Sequence, residues 1–364
     1  MIFRRFYDDG LAQASYLLGC ERTREAVVVD PNMAIETYVR AAGSEGVRIA
    51  HVTETHIHAD FASGARALAA TTGAELHLSG EGGDGWQYGC RDEPDVHVLH
   101  DGDHVRVGEV DIAVMHTPGH TPEHLTFVLT DRARSTAPVG AITGDFVFVG
   151  DVGRPDLLER AAGETGTMRA SASSLYHSVQ RFKQLPDHLQ IWPGHGAGSA
   201  CGKAMSSAAQ STLGYERIAN WALEPMSERE FVDRVLDGQP PAPAYFGPMK
   251  RRNRECALTP PSTVARQLDA EDVARLADRI TIVDVRNPDE WDRGHIDGAR
   301  LVPLGALHER LEEIPRDLPI VVHCQRGARS AKAAATLDAY GFTDVHEMAG
   351  GFALWEAAGL PVAR

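Results

Sequence analysis

The sequence predicts an α/β protein of two domains, a larger one with sheets packed between helices and a smaller compact α/β one. Three observations lead there. The chain has 364 residues, whereas single hydrophobic cores rarely grow far past roughly 250. Short apolar runs of strand character alternate with helical spacing along most of its length. That periodicity fails between Leu236 and Pro261, where Pro240, Pro241, Pro243, Pro248, Pro260 and Pro261 surround the basic run Lys250, Arg251 and Arg252. Residues 241–261 are therefore expected to form a linker between domains spanning 1–240 and 262–364.

In the first domain Glu25 to Asp30 reads as a buried strand ending at the Pro31 and Asn32 turn. Helical spacing follows from Ala34 to Ala42, a strand from Val47 to Thr53, and an alanine-rich helix from Ala62 to Thr72 stopped by Gly73. Further strands are expected at Glu75 to Leu78, Val96 to Leu99, Val105 to Val107, Val110 to Met115, Leu125 to Thr130 and Val139 to Thr143. Beyond the linker the pattern predicts a strand over Ile280 to Val285, a helix over Leu304 to Glu313 and a strand over Ile320 to His323. A helix over Arg329 to Tyr340 and a short strand near Val345 complete it.

Composition narrows the function. Lys and Arg number 36 against 51 Asp and Glu, a net charge of −15 that repels phosphate backbones and anionic headgroups, so neither nucleic acid nor a membrane is expected as a partner. No apolar run approaches a membrane span, and the opening MIFRRFYDDG lacks the apolar segment of a signal peptide, so a cytoplasmic location is expected. The five cysteines are odd in number and never form a C-x-x-C pair, which argues against a disulfide framework or a thiolate zinc site.

Histidine carries the first chemical signal. After the strand ending at Thr53 the chain reads Thr55-His56-Ile57-His58-Ala59-Asp60-Phe61, and in an extended segment alternate residues share a side, so His56, His58 and Asp60 can face one cleft. Three more loops follow apolar runs: His116-Thr117-Pro118-Gly119-His120-Thr121, Thr143-Gly144-Asp145 and Trp192-Pro193-Gly194-His195-Gly196. Glycine and proline beside each ligand-type residue fix the side chain's direction.

This ordered series resembles the metallo-β-lactamase superfamily over roughly residues 1 to 240, which implies an αββα sandwich with metal at one edge of two facing sheets. Zinc hydrolases of that superfamily usually carry a histidine after the motif's aspartate, whereas Phe61 stands here. Loss of that imidazole weakens a two-metal site and its bridging hydroxide. His56, His120 and Asp145 then offer two imidazoles and a carboxylate, the facial set that suits one mononuclear Fe(II) and leaves room for O₂ and substrate. His56, His58 and His120 around a single zinc is the alternative set.

Together with GDFVFVGDVGRPD at 144–156 and WPGHGAGSACGK at 192–203, the pattern is similar to the persulfide dioxygenases. That likeness implies iron held by His56, His120 and Asp145, with His58, Asp60 and His195 around them. Arg154 is a candidate for gripping a substrate carboxylate, and Tyr176 for donating a hydrogen bond into the cleft. His116, His124 and His177 read as structural or supporting residues.

The second signal is a cysteine. The strand Ile320 to His323 leads to Cys324, then Gln325-Arg326-Gly327-Ala328-Arg329-Ser330 enters a helix. Backbone N–H groups and the helix's positive end lower a thiol pKa there, and Arg326 and Arg329 can hold an anion such as thiosulfate. With Asp284-Val285-Arg286, Gly294-His295-Ile296 and Gly350-Gly351, this region resembles a rhodanese (sulfurtransferase) domain over roughly 260 to 364, which implies that Cys324 carries a sulfane sulfur as a persulfide. Asp284 and Arg286 read as core or loop-bracing partners. Cys20, Cys90, Cys201 and Cys256 read as packing residues.

Both halves thus resemble a persulfide dioxygenase fused to a rhodanese. The resemblance implies transfer of sulfur from thiosulfate through Cys324 to a small thiol such as glutathione, then iron- and O₂-dependent oxidation of the persulfide to sulfite by a homodimer. Two alternatives stand beside it: a zinc thioesterase of the glyoxalase II type joined to a sulfurtransferase, and a non-catalytic sulfur carrier.

Overall fold

Two six-stranded sheets and a smaller five-stranded one make up the computed structural model. It describes all residues except 10, 158–165, 244, 258–265, 308–309, 341 and 343. The chain divides into two units, Met1–Leu258 and Thr259–Arg364.

The first sheet of the larger unit follows chain order: Ile2–Asp8, Gln13–Cys20 and Glu25–Val29 pair antiparallel, then Arg48–Thr53, Glu75–Ser79 and Val96–Leu99 add on in parallel. The second runs Ser211–Thr212, Gln190–Pro193, Gly140–Gly144, Leu125–Asp131, Val110–His116, His104–Val107. Strand periodicity explains the layering. Tyr16, Leu18, Val27 and Val29 point inward against Ile112, Phe127 and Leu129 of the facing sheet. Leu17 and Val28, one residue out of phase, meet Tyr38 and Leu68 of the helices Ile35–Glu45 and Ala65–Thr72. Leu175 and Val179 of helix Met168–Phe182 and Phe231 of helix Glu228–Leu236 share the cluster of Ala141 and Ile191 from the second sheet. Each such buried side chain contributes about 1.5–3 kcal/mol, and the result is the expected αββα sandwich. Gly73 ends its helix at φ +67, as predicted.

The helix expected from Ala62 begins only at Ala65, because the preceding residues are held in a loop by a segment expected to be linker. Phe246–Arg254 is a helix of the first unit, with Phe246, Met249 and Asn253 buried at a spacing of three and four residues. Beyond it, Cys256 is joined to Cys90 in a disulfide across 166 residues of sequence, against the expectation of no disulfide and of packing roles for both, because the fold brings together cysteines too far apart in sequence for their pairing to show. The interruption of periodicity by prolines concealed one short amphipathic helix. Residues 244 and 258–261 of the expected linker, and 262–265 of the expected second domain, lie outside the described residues.

The smaller unit is a parallel sheet ordered Arg266–Leu268, Val345–Met348, Ile320–His323, Thr281–Asp284, Arg300–Leu301. Ile282, Val321, Met348, Phe352 and Trp355 form its core. The helix expected over Leu304 to Glu313 is replaced by separate 3₁₀ turns at Leu304–Ala306 and Leu311–Glu313, with residues 308–309 outside the described set. Gly305 near its start and Pro315 just past its end weaken a continuous helix. No helix among the described residues is long and apolar enough to cross a membrane.

Candidate functional site

Strand ends at one edge of the sandwich deliver the histidine and aspartate loops. Arg48–Thr53 runs into the loop with His56, His58 and Asp60; Val110–His116 leads to His120; Gly140–Gly144 leads to Asp145; Gln190–Pro193 leads to His195. Gly144 sits at φ +49, and a Cβ there would lie 2.5 Å from Thr55 Oγ1, so only glycine permits this approach. The next residue is then fixed by its backbone: Asp145 N donates to Nε2 of buried His124 at 3.1 Å, while His124 Nδ1 meets Thr117 Oγ1 at 2.9 Å. His124 supports the site without joining it.

His56 Nε2 and His120 Nε2 stand 3.9 and 3.5 Å from Asp145 Oδ2, and one ligand atom from each of the three lies within 4.8 Å of the others. Both carboxylate oxygens of Asp145 are buried without a hydrogen bond. A buried carboxylate so placed is costly unless a cation satisfies it, so the set fits a divalent metal. The far ring nitrogens are oriented as metal-binding imidazoles usually are. His56 Nδ1 lies 3.0 Å from Thr55 Oγ1, which donates to Asp30 Oδ2 at 2.9 Å. His120 Nδ1 lies 3.2 Å from the Arg154 carbonyl. Burial, followed by neighbouring imidazoles, holds His56 well below its ordinary pKa, favouring the neutral form that can ligate.

His58 turns away, with Nε2 3.1 Å from Asp30 Oδ1. Burial pulls its pKa down, but Asp30, Glu54 and Asp60 together lift it to about 9. Phe61 is fully buried with its ring centroid 4.3 Å from that of His58. His195 Nε2 lies 3.1 Å from Asp60 Oδ2 and 3.3 Å from Asp145 Oδ1. Cys201 joins them: Asp60, His195 and Cys201 form a second group with ligand atoms within 4.8 Å. Cys201, expected to be a packing residue, stands instead at the site, brought there by the segment after His195. Burial, reinforced by Asp145 and Asp60, drives its thiol pKa far up.

Two expectations are corrected. Arg154 is fully buried and forks onto Asp156 at 3.1 and 2.8 Å, with another N–H on the Ala200 carbonyl at 3.1 Å. It cannot also grip a substrate carboxylate; its contribution to the site is the backbone carbonyl against His120. The Tyr176 hydroxyl donates to the Met226 carbonyl at 3.2 Å and its ring packs on Phe231, a joint between helices and not a donor into the cleft. His116 Nε2 lies 2.7 Å from the Pro122 carbonyl and His177 is exposed, both outside the cluster as expected.

A pocket of about 430 Å³, open mouth included, adjoins His120 and Asp60, with walls from Trp86, Leu157, Phe246 and Lys250. Lys250 Nζ stands over the Trp86 ring, 3.2 Å from its centroid. Sequence reading missed this wall, and it missed Asn253, whose Nδ2 donates to the His58 and Phe61 carbonyls while Oδ1 accepts from Ser63 N. It also missed Asp30, which touches Thr55 and His58 together. The helical spacing of Phe246 and Met249 ahead of Asn253 was the one signal available for the helix.

In the smaller unit Cys324 follows strand Ile320–His323 and precedes helix Ala328–Ala339. Its sulfur accepts from Gly327 N at 3.1 Å and lies 3.7 Å from Ser330 Oγ. Burial alone would raise the thiol pKa, but the N–H groups of Ser330, Arg326 and Gly327 outweigh it and bring it below the ordinary value. Arg326 is exposed at the loop. Arg329, expected to hold an anion, is instead engaged by Glu290 through two bonds of 2.6 and 2.7 Å. Arg286 braces the loop: it forks onto buried Asp284 and donates to Gln325 Oε1 at 3.1 Å.

Fold and site together define an αββα protein with a His/Asp cluster able to hold a metal ion, followed by a sulfurtransferase-like cysteine domain. Residues 8–195 match the metallo-beta-lactamase superfamily and 262–358 a rhodanese-like domain. The persulfide dioxygenase ETHE1 of Bos taurus mitochondria is 30% identical over 269 residues, covering 72% of this chain and 91% of that protein. A crystal structure of a metallo-beta-lactamase from Staphylococcus aureus subsp. aureus COL is 38% identical with a TM-score of 0.84, covering 96% of this chain and 99% of that one. The hydroxyacylglutathione hydrolase of Rhodospirillum rubrum is 29% identical over 65% of this chain and 80% of that protein. The chain belongs to the metallo-β-lactamase superfamily and carries a C-terminal rhodanese-like domain. Its likeness to persulfide dioxygenases supports a role in sulfur metabolism.

Proposed function

We propose that the larger unit is a mononuclear iron persulfide dioxygenase and the smaller a thiosulfate sulfurtransferase, working on a shared small-thiol substrate such as glutathione. The observation that carries the first assignment is the buried His56, His120 and Asp145 set, with neither Asp145 oxygen in a hydrogen bond, beside a largely apolar pocket. Two imidazoles and one carboxylate suit non-haem Fe(II), and Phe61 occupies the position that would extend the set toward a second ion.

Iron bound there would supply the redox chemistry that joins O₂ to a sulfur substrate. The reaction balances as persulfide plus O₂ plus water giving thiol, sulfite and two protons. The protein's part is placement. Trp86, Leu157 and Phe246 exclude water from the sulfane sulfur, and Lys250 supplies positive charge for a carboxylate of the thiol carrier. Asp60 and His195, 3.1 Å apart, stand ready to take up and pass on protons at the edge of the ligand set.

In the smaller unit the Cys324 thiolate attacks the outer sulfur of thiosulfate; the S–S bond of thiosulfate breaks, sulfite leaves, and a Cys324 persulfide forms. A second thiol then takes the sulfane sulfur. Backbone N–H groups around Cys324 and exposed Arg326 favour the anionic partners of both steps.

Metal content and oxygen electrode measurements test the whole reading. Iron-loaded protein is expected to consume O₂ with glutathione persulfide, Asp145→Ala to lose iron and uptake while keeping sulfur transfer, and Cys324→Ser to show the reverse. Cleavage of a glutathione thioester by zinc-loaded protein without O₂ uptake would favour the hydrolase instead.

A further inference from the structure

A further cluster of metal-ligating side chains lies on the first sheet, with His51 before the His56 loop in sequence and Glu75, His77 and His97 after it. Arg48–Thr53, Glu75–Ser79 and Val96–Leu99 are adjacent parallel strands, with His51 opposite Glu75 and His77 opposite His97. Strand alternation therefore sends all four side chains to one face of the sheet. His51 Nδ1 lies 3.0 Å from His77 Nε2 and 3.3 Å from Glu75 Oε2, and His77 Nε2 lies 3.8 Å from the same oxygen. His97 Nε2 lies 3.7 Å from Glu75 Oε2, and its ring stacks on that of His77 at 5.0 Å.

These separations are those of a coordination shell. Zinc–nitrogen bonds of about 2.0–2.1 Å place the ligand atoms of a tetrahedral site about 3.3–3.4 Å apart, the middle of the observed range. Hydrogen bonding does not account for the arrangement as well, since one proton between two rings leaves the Glu75 carboxylate converging on the same point. His77 is 93% buried by its 7% exposure, and its Nδ1 has no partner, so the ring's polar interactions all go into the cluster through Nε2. Burial holds this imidazole down at about 3, leaving it neutral and able to ligate. Glu75 and His97, 54% and 48% exposed, leave the cluster open to solvent for an ion to enter. Backbone pairing of three strands fixes the geometry before any ion arrives.

We infer that His51, Glu75 and His77, whose ligand atoms lie within 4.8 Å of one another, form a further metal site for a divalent ion of the zinc class, with His97 beside the Glu75 carboxylate, separate from the His56, His120 and Asp145 centre. Imidazole and carboxylate donors at tetrahedral spacing select borderline ions of this kind over calcium or magnesium, which require six or more oxygens or retained water.

The test counts tightly bound zinc in the full-length metal-stripped chain after zinc is restored and excess removed, with cobalt(II) absorption as a second readout. Wild type is expected to hold one more zinc per chain than the His51→Ala/His77→Ala variant, and to show visible cobalt absorption beyond that of the variant by the contribution of one more tetrahedral ion. Asp145→Ala, which empties the other centre, is expected to retain the ion that the strand variant loses. Because His77 is buried, Glu75→Gln/His97→Ala provides a pair at exposed positions, expected to weaken zinc retention at least tenfold with folding unchanged. Equal zinc and equal cobalt spectra in wild type and in whichever strand variant folds would overturn the assignment.

Discussion

Asn253 Nδ2 stands 2.8 Å from the Phe61 carbonyl, a bond between residues 192 apart in sequence that ties the metal-binding loop to helix Phe246–Arg254. The same amide also holds the His58 carbonyl and Ser63 N–H, so one buried side chain satisfies three backbone groups of the loop that presents His56.

Replacing that amide tests its role. Asn253→Ala leaves those buried backbone groups unpaired, which costs about 1–3 kcal/mol and loosens the His56 loop. We expect a lower melting temperature together with reduced metal retention after dialysis against a chelator. Normal retention in a destabilised variant would separate loop bracing from metal binding.

Arg154 is expected to behave as a structural residue. Arg154→Ala strips buried Asp156 of its guanidinium and is expected to destabilise the chain by about 3–5 kcal/mol. Arg154→Lys, which cannot form the fork, is expected to be less stable than wild type but to show an unchanged KM for persulfide at a temperature where it remains folded. A selective rise in KM would restore Arg154 to the substrate.

The cysteine loop carries a pH prediction. The folded Cys324 thiol titrates below its ordinary value, and the thiolate is the attacking species. Sulfur transfer should therefore rise as pH increases through a midpoint under the ordinary thiol range and level off above it. Alkylation of Cys324 by iodoacetamide across the same pH range reads the same midpoint; a value at or above that of a free thiol would contradict it.

The Cys90 and Cys256 disulfide anchors the chain just past the Asn253 helix. Closing so long a loop restricts the unfolded chain, and native disulfides contribute about 2–4 kcal/mol. Cys256→Ser is expected to lower the urea midpoint of the larger unit, with dithiothreitol doing the same to wild type and leaving the variant unchanged.

Much of this protein was legible in its residues. Alternating apolar runs such as Leu125 to Thr130 specify strands locally, and the metal loops announce themselves by His and Asp set beside glycine and proline at strand ends. The Cys324 loop was equally plain, because its signals lie within a few consecutive residues.

What the chain's order could not reveal was settled by contacts between distant segments. Whether Arg154 faces substrate or Asp156, whether Arg329 is engaged by Glu290, and whether Phe246–Arg254 is linker or pocket wall all depend on which segment packs against which. Cys201 and the four strand residues His51, Glu75, His77 and His97 gained their neighbours in the same way. Local sequence determines backbone periodicity and loop chemistry over a few residues, whereas burial and pairing arise only when strands align in register, and that alignment is a property of the folded chain.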